Sequence, residues 1–231
     1  MSLAERRIAP EHDGSDTPPV VLAVNVGSPR DVRVGDRVVS TAIWKEPVTG
    51  RVAVRGVNVA GDDQADRTVH GGPDKAVYAY ASEDAAWWAD RLGRDLGAAP
   101  FGENLTTRGV DVSAARIGER WAIGSALLEV RQSRMPCYKL GLRMGDPRFV
   151  RAFAQADRPG AYLAILREGD VGAGDAVDIV HRPDHDVTVA LMHRALLQDH
   201  DLLIDLLAAP ELMPRWRAFA LERTGASDDA G

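Results

Sequence analysis

Cysteine is almost absent from this chain, since Cys137 is the only one among 231 residues. A single thiol excludes an internal disulfide, and proteins without disulfides are typical of reducing compartments. No apolar run approaches the length of about 20 residues that a membrane-spanning helix needs. The pair Arg6-Arg7 is not followed by the apolar stretch that an export signal contains. We therefore predict a cytoplasmic protein that does not associate with a membrane.

Basic residues are also fewer than acidic ones. The chain has 28 Lys and Arg against 34 Asp and Glu, which gives a formal net charge of -6 and a pI near 5.5. Proteins that bind nucleic acids usually carry a basic excess, so we expect no nucleic-acid partner. The balance reverses between residues 131 and 151, where six cations stand against one anion. This local excess favours a small anionic ligand.

Several familiar catalytic motifs are missing. The chain has no Gly-x-Ser-x-Gly, P-loop, His-Glu-x-x-His or Cys-x-x-Cys, which excludes the catalytic sites built on those motifs. The segment Gly172-x-Gly174 lacks the third glycine of a dinucleotide-binding loop. The standard zinc sites are excluded as well, because paired Cys and His ligands are lacking.

The hydrophobic pattern predicts a mostly β domain between two flexible ends. Residues 1–19 and 225–231 are polar and are predicted to be flexible. Between residues 20 and 183, many short apolar or alternating runs separated by glycine-bearing turns predict strands. These predicted strands are 20–26, 40–44, 52–59, 76–80, 120–123, 127–132, 161–167 and 176–181. Many short strands favour a closed or nearly closed β-barrel, which removes exposed edges.

Helical periodicity predicts two peripheral helices and a helical tail. The first helix begins near Ser82 and contains Trp87 and Trp88, which we expect to pack in the interior. The second spans about 147–156. Residues 184–224 are predicted to form a three-helix unit, with helices at 187–197, 200–208 and 214–223. The pattern does not distinguish docking of this unit on the barrel, on a second copy in a homodimer, or on another protein.

The single thiol lies in a segment with unusual chemistry. Arg134 and Lys139 flank Cys137, and nearby cations favour the thiolate, the form that binds metals or acts as a nucleophile. Pro136 removes a backbone donor and biases Met135 toward extended geometry, so Cys137 is predicted to follow the end of a strand. The alternative is that Cys137 is a small buried apolar residue.

Two further segments have the composition of ligand-binding loops. In the first, Gly71 and Gly72 allow backbone amides to approach a ligand closely, and Lys75 enters the next strand. The second is the polar loop 101–107, whose Asn104 can both donate and accept hydrogen bonds. Glycine pairs and single asparagines also occur in ordinary turns.

Taken in order, four segments resemble the MOSC domain, the module shared with the C-terminal part of molybdenum cofactor sulfurases, and above all its YiiM-like branch. The segments are 67–80 (RTVHGGPDKAVYAY), 101–107 (FGENLTT), 117–124 (IGERWAIG) and 134–140 (RMPCYKL). Glu119 stands where that branch has aspartate. The similarity covers nearly all of residues 20–224. It implies a MOSC-type β-barrel with peripheral helices and a C-terminal three-helix appendix.

The resemblance also implies a molybdenum–molybdopterin cofactor, with Cys137 as the protein's ligand to the metal. A soft thiolate suits a thiophilic redox metal. Cations are suited to the pterin phosphate, and polar loop residues to the hydrogen-bonding edge of the pterin. The residues that match the family at these positions are Cys137, Lys75, Gly71, Gly72, Glu103, Asn104, Arg131 and Arg134.

The activity implied for the YiiM-like branch is the reductive removal of oxygen from small N-hydroxylated compounds, including N-hydroxylated purines. His70 is our candidate proton donor or substrate contact, because imidazole titrates near neutral pH. A structural histidine that bonds its own Gly-Gly loop is the alternative. The sequence has no flavin, haem or iron–sulfur motif, so we expect electrons from a separate reductase.

Two other functions stay open on sequence grounds. The thiolate of Cys137 is equally suited to a carrier that transfers sulfur as a persulfide. The chain is also consistent with a non-catalytic module that binds the cofactor, with the helical tail as a surface for a partner protein.

Overall fold

The computed structural model describes residues 18–63 and 71–227. Its strands are β1 Val20–Val26, β2 Arg30–Val34, β3 Arg37–Thr41, β4 Glu46–Pro47, β5 Arg51–Arg55, β6 Asn58–Val59, β7 Val77–Ala81, β8 Leu105–Arg108, β9 Arg120–Ile123, β10 Ala126–Ser133, β11 Ala161–Arg167, β12 Gly169–Gly172 and β13 Val177–His181. Its helices are α1 Ser82–Leu92, α2 Tyr138–Met144, α3 Phe149–Ala154, α4 Val189–Leu197 and α5 Pro214–Thr224, with 3₁₀ turns at Pro73–Lys75, His200–Leu203 and Asp205–Ala208.

The strands form one large sheet and two small ones. The large sheet has eight strands in the order β13-β9-β10-β11-β7-β8-β1-β4. Its strand pairs are antiparallel except for β7 and β8, which run parallel. Every residue of β7 is buried, which explains its continuous apolar sequence, since a strand covered on both faces has no polar side. The small sheets are β12-β5-β6 and the hairpin β2-β3.

Backbone hydrogen bonds join the two ends of the large sheet. The Val21 N–H donates to the Asp175 carbonyl at 2.9 Å, and the Gly174 N–H donates to the Val21 carbonyl at 2.8 Å. The Val177 N–H donates to the Pro19 carbonyl at 3.0 Å. The start of β13 thus pairs with the start of β1, which gives the sheet the barrel-like closure that the strand pattern predicts.

An aromatic cluster fixes the helices that flank the sheet. Trp88 of α1 packs on Phe149 of α3 with ring centroids 4.7 Å apart, and Phe101 packs on Tyr80 of β7 at 4.2 Å. Trp88 is 1% exposed, which confirms its predicted packing role. The buried side chains of Leu140 and Met144 add α2 to the same cluster. Apolar burial of this kind stabilises by about 25 cal/mol for each Å² removed from water, so α2 and the residues that precede it are held firmly.

Some predicted elements differ from the observed ones. The helix predicted at 147–156 is shorter, Phe149–Ala154, and α2 precedes it without having been predicted. Residues 105–107 of the predicted polar loop belong to β8, because they pair in parallel with Ala79–Ala81 of β7. Residues 42–44, predicted as part of a strand, lie outside the strands.

The C-terminal unit packs on the sheet of its own chain. Met192 and His193 of α4 are completely buried, and the Trp216 indole of α5 donates to the Gln132 side chain of β10 at 3.2 Å. The predicted middle helix is instead two consecutive 3₁₀ turns. The division of the chain at residue 183 and the homodimer stay predictions. None of the helices in the described part of the chain has the length and apolar content that a membrane span requires.

Candidate functional site

A cleft opens beside β7 and the start of α2. Its walls come from the segment after β3, from the 3₁₀ turn before β7, from the loop before β8 and from the segment after β10. Four of the predicted site residues line it together: Lys75, Asn104, Arg134 and Cys137. These residues are distant in sequence, and they meet because β7, β8 and β10 belong to one sheet.

Cys137 lies where β10 has ended and α2 begins. Its backbone is extended, with φ -127° and ψ 172°, and it is the residue that precedes the first turn of α2. Its carbonyl accepts from the Leu140 N–H at 2.9 Å. The side chain is half-buried and lines the cleft. The prediction that Cys137 follows the end of a strand is confirmed, and its half-buried side chain disagrees with the alternative of a small buried apolar residue.

Arg134 places a permanent positive charge in the wall of the cleft. The residue is 6% exposed, and its guanidinium donates to the Phe101 carbonyl. The guanidinium also lies over the Tyr78 ring, 5.0 Å from its centroid, where the electron-rich face of the ring favours a cation. The Tyr162 ring lies 5.0 Å from that of Tyr78 and is tilted by 35° against it, and the two rings form an aromatic part of the cleft wall.

The loop before β8 approaches the opposite wall closely. Gly102 has φ +72°, and a Cβ at this position would meet the Ile43 side chain at 2.9 Å and the Ile43 carbonyl at 3.0 Å. Only glycine fits this backbone and this approach. Both residues line the cleft, so the contact between them closes one side of it.

Asn104 lines the cleft, but its side chain is occupied by the protein. Its Oδ1 accepts from the Tyr78 N–H at 3.1 Å. Its Nδ2 donates to the Asn25 carbonyl at 3.2 Å and to Asp62 Oδ2 at 2.9 Å. These bonds tie β7, β1 and the Asp62 loop together. The structure therefore gives Asn104 a positioning role rather than the predicted direct role at a ligand edge.

The structure does not bring Glu103 into the cleft. Glu103 is 0% exposed, and its carboxylate accepts from the Phe101 N–H at 3.0 Å and from the Thr106 hydroxyl at 3.2 Å. The predicted contact of Glu103 with a ligand is therefore corrected, because its carboxylate oxygens accept the hydrogen bonds that hold the turn of the loop.

Burial raises the pKa of Glu103 above its ordinary value of 4.5. Between pH 4.5 and the raised pKa, the Glu103 carboxyl is protonated in the folded protein but ionised in the unfolded chain. The free energy of unfolding therefore falls as pH rises through this window. We expect the free energy of unfolding of the wild type to fall there more steeply than that of Glu103→Gln. Urea denaturation of both proteins at pH 4.5 and above measures this, and parallel curves would contradict it. Burial also raises the pKa of Asp84. Asp84 is present in both proteins, so its effect on the two curves is the same.

Arg131 is also outside the cleft, and its charge is compensated. Its Nε donates to Asp74 Oδ1 at 2.8 Å, and its Nη1 donates to Glu129 Oε1 at 2.8 Å. The predicted contact of Arg131 with a phosphate is therefore corrected, since two carboxylates already satisfy the guanidinium. Gly71 and Gly72 lie beside the 3₁₀ turn that carries Lys75, but they do not line the cleft.

His70, the predicted proton donor or substrate contact, lies outside the described residues. Within residues 18–63 and 71–227, no group of three or more His, Cys, Asp and Glu side chains comes together as a metal site. Among these residues Cys137 stands as a single thiol donor, and a metal bound to it must bring other ligands of its own.

A buried ion pair in the cleft wall was not predicted. The Lys45 ammonium lies 2.6 Å from Asp62 Oδ2, and the side chains of Lys45 and Asp62 are 10% and 1% exposed. Asp62 also accepts from the Gly27 N–H at 2.8 Å. Burial lowers the pKa of Lys45, although Asp62 acts in the opposite direction. Nothing in the local sequence around Lys45 signals this pairing.

Among the described residues that line the cleft, cations outnumber anions. Lys45, Lys75, Arg134 and Lys139 are the cations, whereas Asp63 is an anion. Burial, followed by the charge of Arg215, lowers the pKa of Lys75. This arrangement is suited to a ligand that has an anionic group and a flat apolar part, since Tyr78, Phe101 and Tyr162 form part of the wall.

Comparisons with known proteins agree with this geometry. Residues 66–178 match the MOSC domain. The chain is 33% identical to the protein YflK of Bacillus subtilis (strain 168) over 206 residues, which cover 88% of this chain and 93% of YflK. It is 34% identical to the protein YiiM of Escherichia coli (strain K12) over 182 residues, which cover 76% of this chain and 81% of YiiM.

The matches also include a longer relative and solved structures. A protein of Gibberella moniliformis (strain M3125 / FGSC 7600) named Reductase is 30% identical over 203 residues, which cover 85% of this chain but 35% of the fungal protein. The crystal structure of YiiM from Geobacillus stearothermophilus superimposes with a TM-score of 0.74 at 30% identity, over 89% of this chain and 99% of that one. The chain belongs to the MOSC domain family, and it is similar to YiiM over most of its length.

Proposed function

We propose that this chain is a molybdenum-cofactor-dependent reductase of small N-hydroxylated compounds, in which the Cys137 thiolate binds the metal. One observation carries the proposal: the half-buried thiol of Cys137 lines a cleft that also contains four cations and an aromatic wall. Membership of the MOSC family and the fungal relative named Reductase support a role related to the molybdenum cofactor.

The residues of the cleft fit the cofactor by their donor chemistry. A thiolate is the ligand type that a thiophilic metal prefers, and the dithiolene of a pterin supplies the further sulfur ligands that the described part of the protein does not offer. The guanidinium of Arg134 and the amine of Lys75 offer positive charge to a phosphate. Tyr78, Phe101 and Tyr162 line the cleft and offer apolar surface to a flat heterocycle.

When bound, the molybdenum cofactor supplies two-electron oxygen-atom transfer chemistry, and the protein residues orient the reactants. The close contact of Gly102 with Ile43 narrows the cleft on one side and limits the access of water. The Lys45 and Asp62 pair fixes the segment after β3 against the loop before β8, because Asp62 also bonds Asn104. His70 stays our candidate for the proton donor.

Electrons are proposed to come from a separate reductase. The fungal relative has about two thirds of its length outside the region that it shares with this chain. We infer that this extra length carries a function that this chain obtains from a partner protein. Such a division agrees with the lack of a flavin, haem or iron–sulfur motif in the sequence.

The test is elemental analysis and turnover of protein made in a molybdenum-replete host. We expect about one molybdenum and one pterin for each chain, and reduction of an N-hydroxylated purine with reduced methyl viologen as the electron donor. Metal-free protein that accumulates a labelled persulfide on Cys137 would support the sulfur carrier instead. Loaded protein that reduces no N-hydroxylated compound would support the non-catalytic module.

A further inference from the structure

Tyr162 lies in the large sheet between two strands that lead to residues of the cleft. It belongs to β11 and pairs with Tyr78 of β7 on one side and with Gln132 of β10 on the other. Residues directly opposite each other on neighbouring strands point to the same face of a sheet. The Tyr162 ring accordingly lies beside the Tyr78 ring, with 5.0 Å between their centroids, and both residues line the cleft.

The neighbours of Tyr162 in β11 point to the opposite face. Ala161 and Leu163 are completely buried in the main apolar core, whereas Tyr162 is half-buried and packs against the aromatic cluster. Side chains alternate between the two faces of a strand. Tyr162 could therefore leave the cleft face only if β11 shifted its register by one residue.

The hydroxyl groups of the tyrosines in this part of the sheet differ in their partners. Tyr78 Oη donates to the Pro159 carbonyl at 2.7 Å, and Tyr80 Oη donates to the Arg158 carbonyl at 2.9 Å. Tyrosine hydroxyls usually find such a partner when they are buried. The Tyr162 hydroxyl makes no hydrogen bond with residues 18–63 or 71–227. Of Tyr78 and Tyr162, it is therefore Tyr162 whose hydroxyl can bond a ligand in the cleft.

The surroundings of Tyr162 keep its hydroxyl protonated. Burial raises the pKa of Tyr162 above its ordinary value, although the positive charge of Arg134 acts in the opposite direction. A protonated phenol donates a hydrogen bond at neutral pH. Arg134 and Cys137 line the cleft together with Tyr162. A neutral donor, a permanent cation and a thiol thus share one cleft.

We propose that Tyr162 recognises the N-hydroxyl group of the substrate by donating a hydrogen bond to its oxygen, an inference that rests on the proposed function. In that function the substrate oxygen must approach Cys137, and Tyr162 lines the same cleft. The product has lost this oxygen, and its amino group is a donor that offers no acceptor to the phenol. Tyr162 therefore distinguishes the substrate from the product, and loss of the acceptor favours release of the product.

The test measures how tightly N-hydroxyadenine and adenine bind to the wild type, Tyr162→Phe and Tyr138→Phe, by isothermal titration calorimetry. The proteins come from a molybdenum-replete host, and no electron donor is present, so the purine is not reduced. Tyr162→Phe removes the hydroxyl but keeps the ring that packs on Tyr78. Tyr138→Phe is the matched control, because it removes a phenol hydroxyl from a residue that is 57% exposed.

We expect Tyr162→Phe to bind N-hydroxyadenine about 2- to 10-fold more weakly than the wild type, which is the effect of one neutral hydrogen bond. Its affinity for adenine should equal that of the wild type. Tyr138→Phe should match the wild type with both purines.

Tyr162→Phe that binds N-hydroxyadenine as tightly as the wild type would overturn the inference, with the proposed function intact. Equal weakening with both purines would also overturn it, because the hydroxyl would then not recognise the oxygen. Loss of pterin from Tyr162→Phe would do the same, since the hydroxyl would then hold the cofactor. Wild type that contains no molybdenum and reduces no N-hydroxyadenine would instead count against the proposed function, and the inference would fall with it.

Discussion

Replacing Cys137 by serine is expected to remove bound molybdenum and to lower the turnover of N-hydroxylated compounds by more than about 100-fold. Loss of groups that only support a metal ligand costs about 10- to 100-fold, and this substitution removes the proposed ligand itself. Because the side chain is half-buried and the hydroxyl is similar in size, we expect the free energy of unfolding to change by less than about 1 kcal/mol. Elemental analysis, steady-state kinetics and urea denaturation measure these three quantities.

The matched control for Cys137→Ser is Tyr138→Phe. Tyr138 is the next residue and is 57% exposed, so loss of its hydroxyl should leave metal content and turnover unchanged. The sulfur-carrier alternative also predicts an inactive Cys137→Ser, but it predicts no molybdenum in the wild type. Cys137→Ser with wild-type metal content and turnover would contradict the proposed role of the thiolate.

Replacing Lys45 by methionine is expected to lower the free energy of unfolding by about 3–5 kcal/mol, since it leaves a buried carboxylate without its counter-charge. Asp62 keeps hydrogen bonds from Gly27 and Asn104, but these do not neutralise it. The pair joins the segment after β3 to the loop before β8, so we also expect weaker pterin retention. Urea denaturation measures the stability, and pterin fluorescence measures the retention.

The control for Lys45→Met is an exposed ion pair, Arg55 with Asp170, whose side chains are 51% and 46% exposed. Arg55→Met should cost less than about 1 kcal/mol, because solvent screens such pairs. The double variant Lys45→Met with Asp62→Asn should recover part of the loss by removing the buried charge. A cost below about 1 kcal/mol for Lys45→Met would show that the pair does not hold the cleft wall.

The sequence predicted those features of the site that depend on residues adjacent in the chain. Pro136 predicted that Cys137 follows the end of a strand, and the structure places it there. Arg131 could not be assigned correctly in this way, because its partner Asp74 is 57 residues away in the chain. Lys45 was missed for the same reason, since its burial depends on Asp62 and on the folding of two loops.

The fold shows the same division between local and distant interactions. The alternation and glycine turns predicted six of the eight strands of the main sheet, whereas β4 was not predicted and β8 was predicted as a loop. The polar sequence of β8 acquires strand geometry through pairing with β7 and β1, and the parallel pair with β7 depends on the crossover through α1. The hydrogen bond between Arg215 and Gln132 was also not predicted, since it depends on how the helical unit docks on the sheet.

X-ray absorption at the molybdenum K edge tests the central claim most directly, because it counts the sulfur atoms bound to the metal. The wild type is expected to show three sulfur ligands, two from the pterin dithiolene and one from Cys137. Cys137→Ser, if it retains enough metal after reconstitution to be measured, is expected to show two. Equal sulfur counts in the two proteins would contradict a bond between Cys137 and molybdenum.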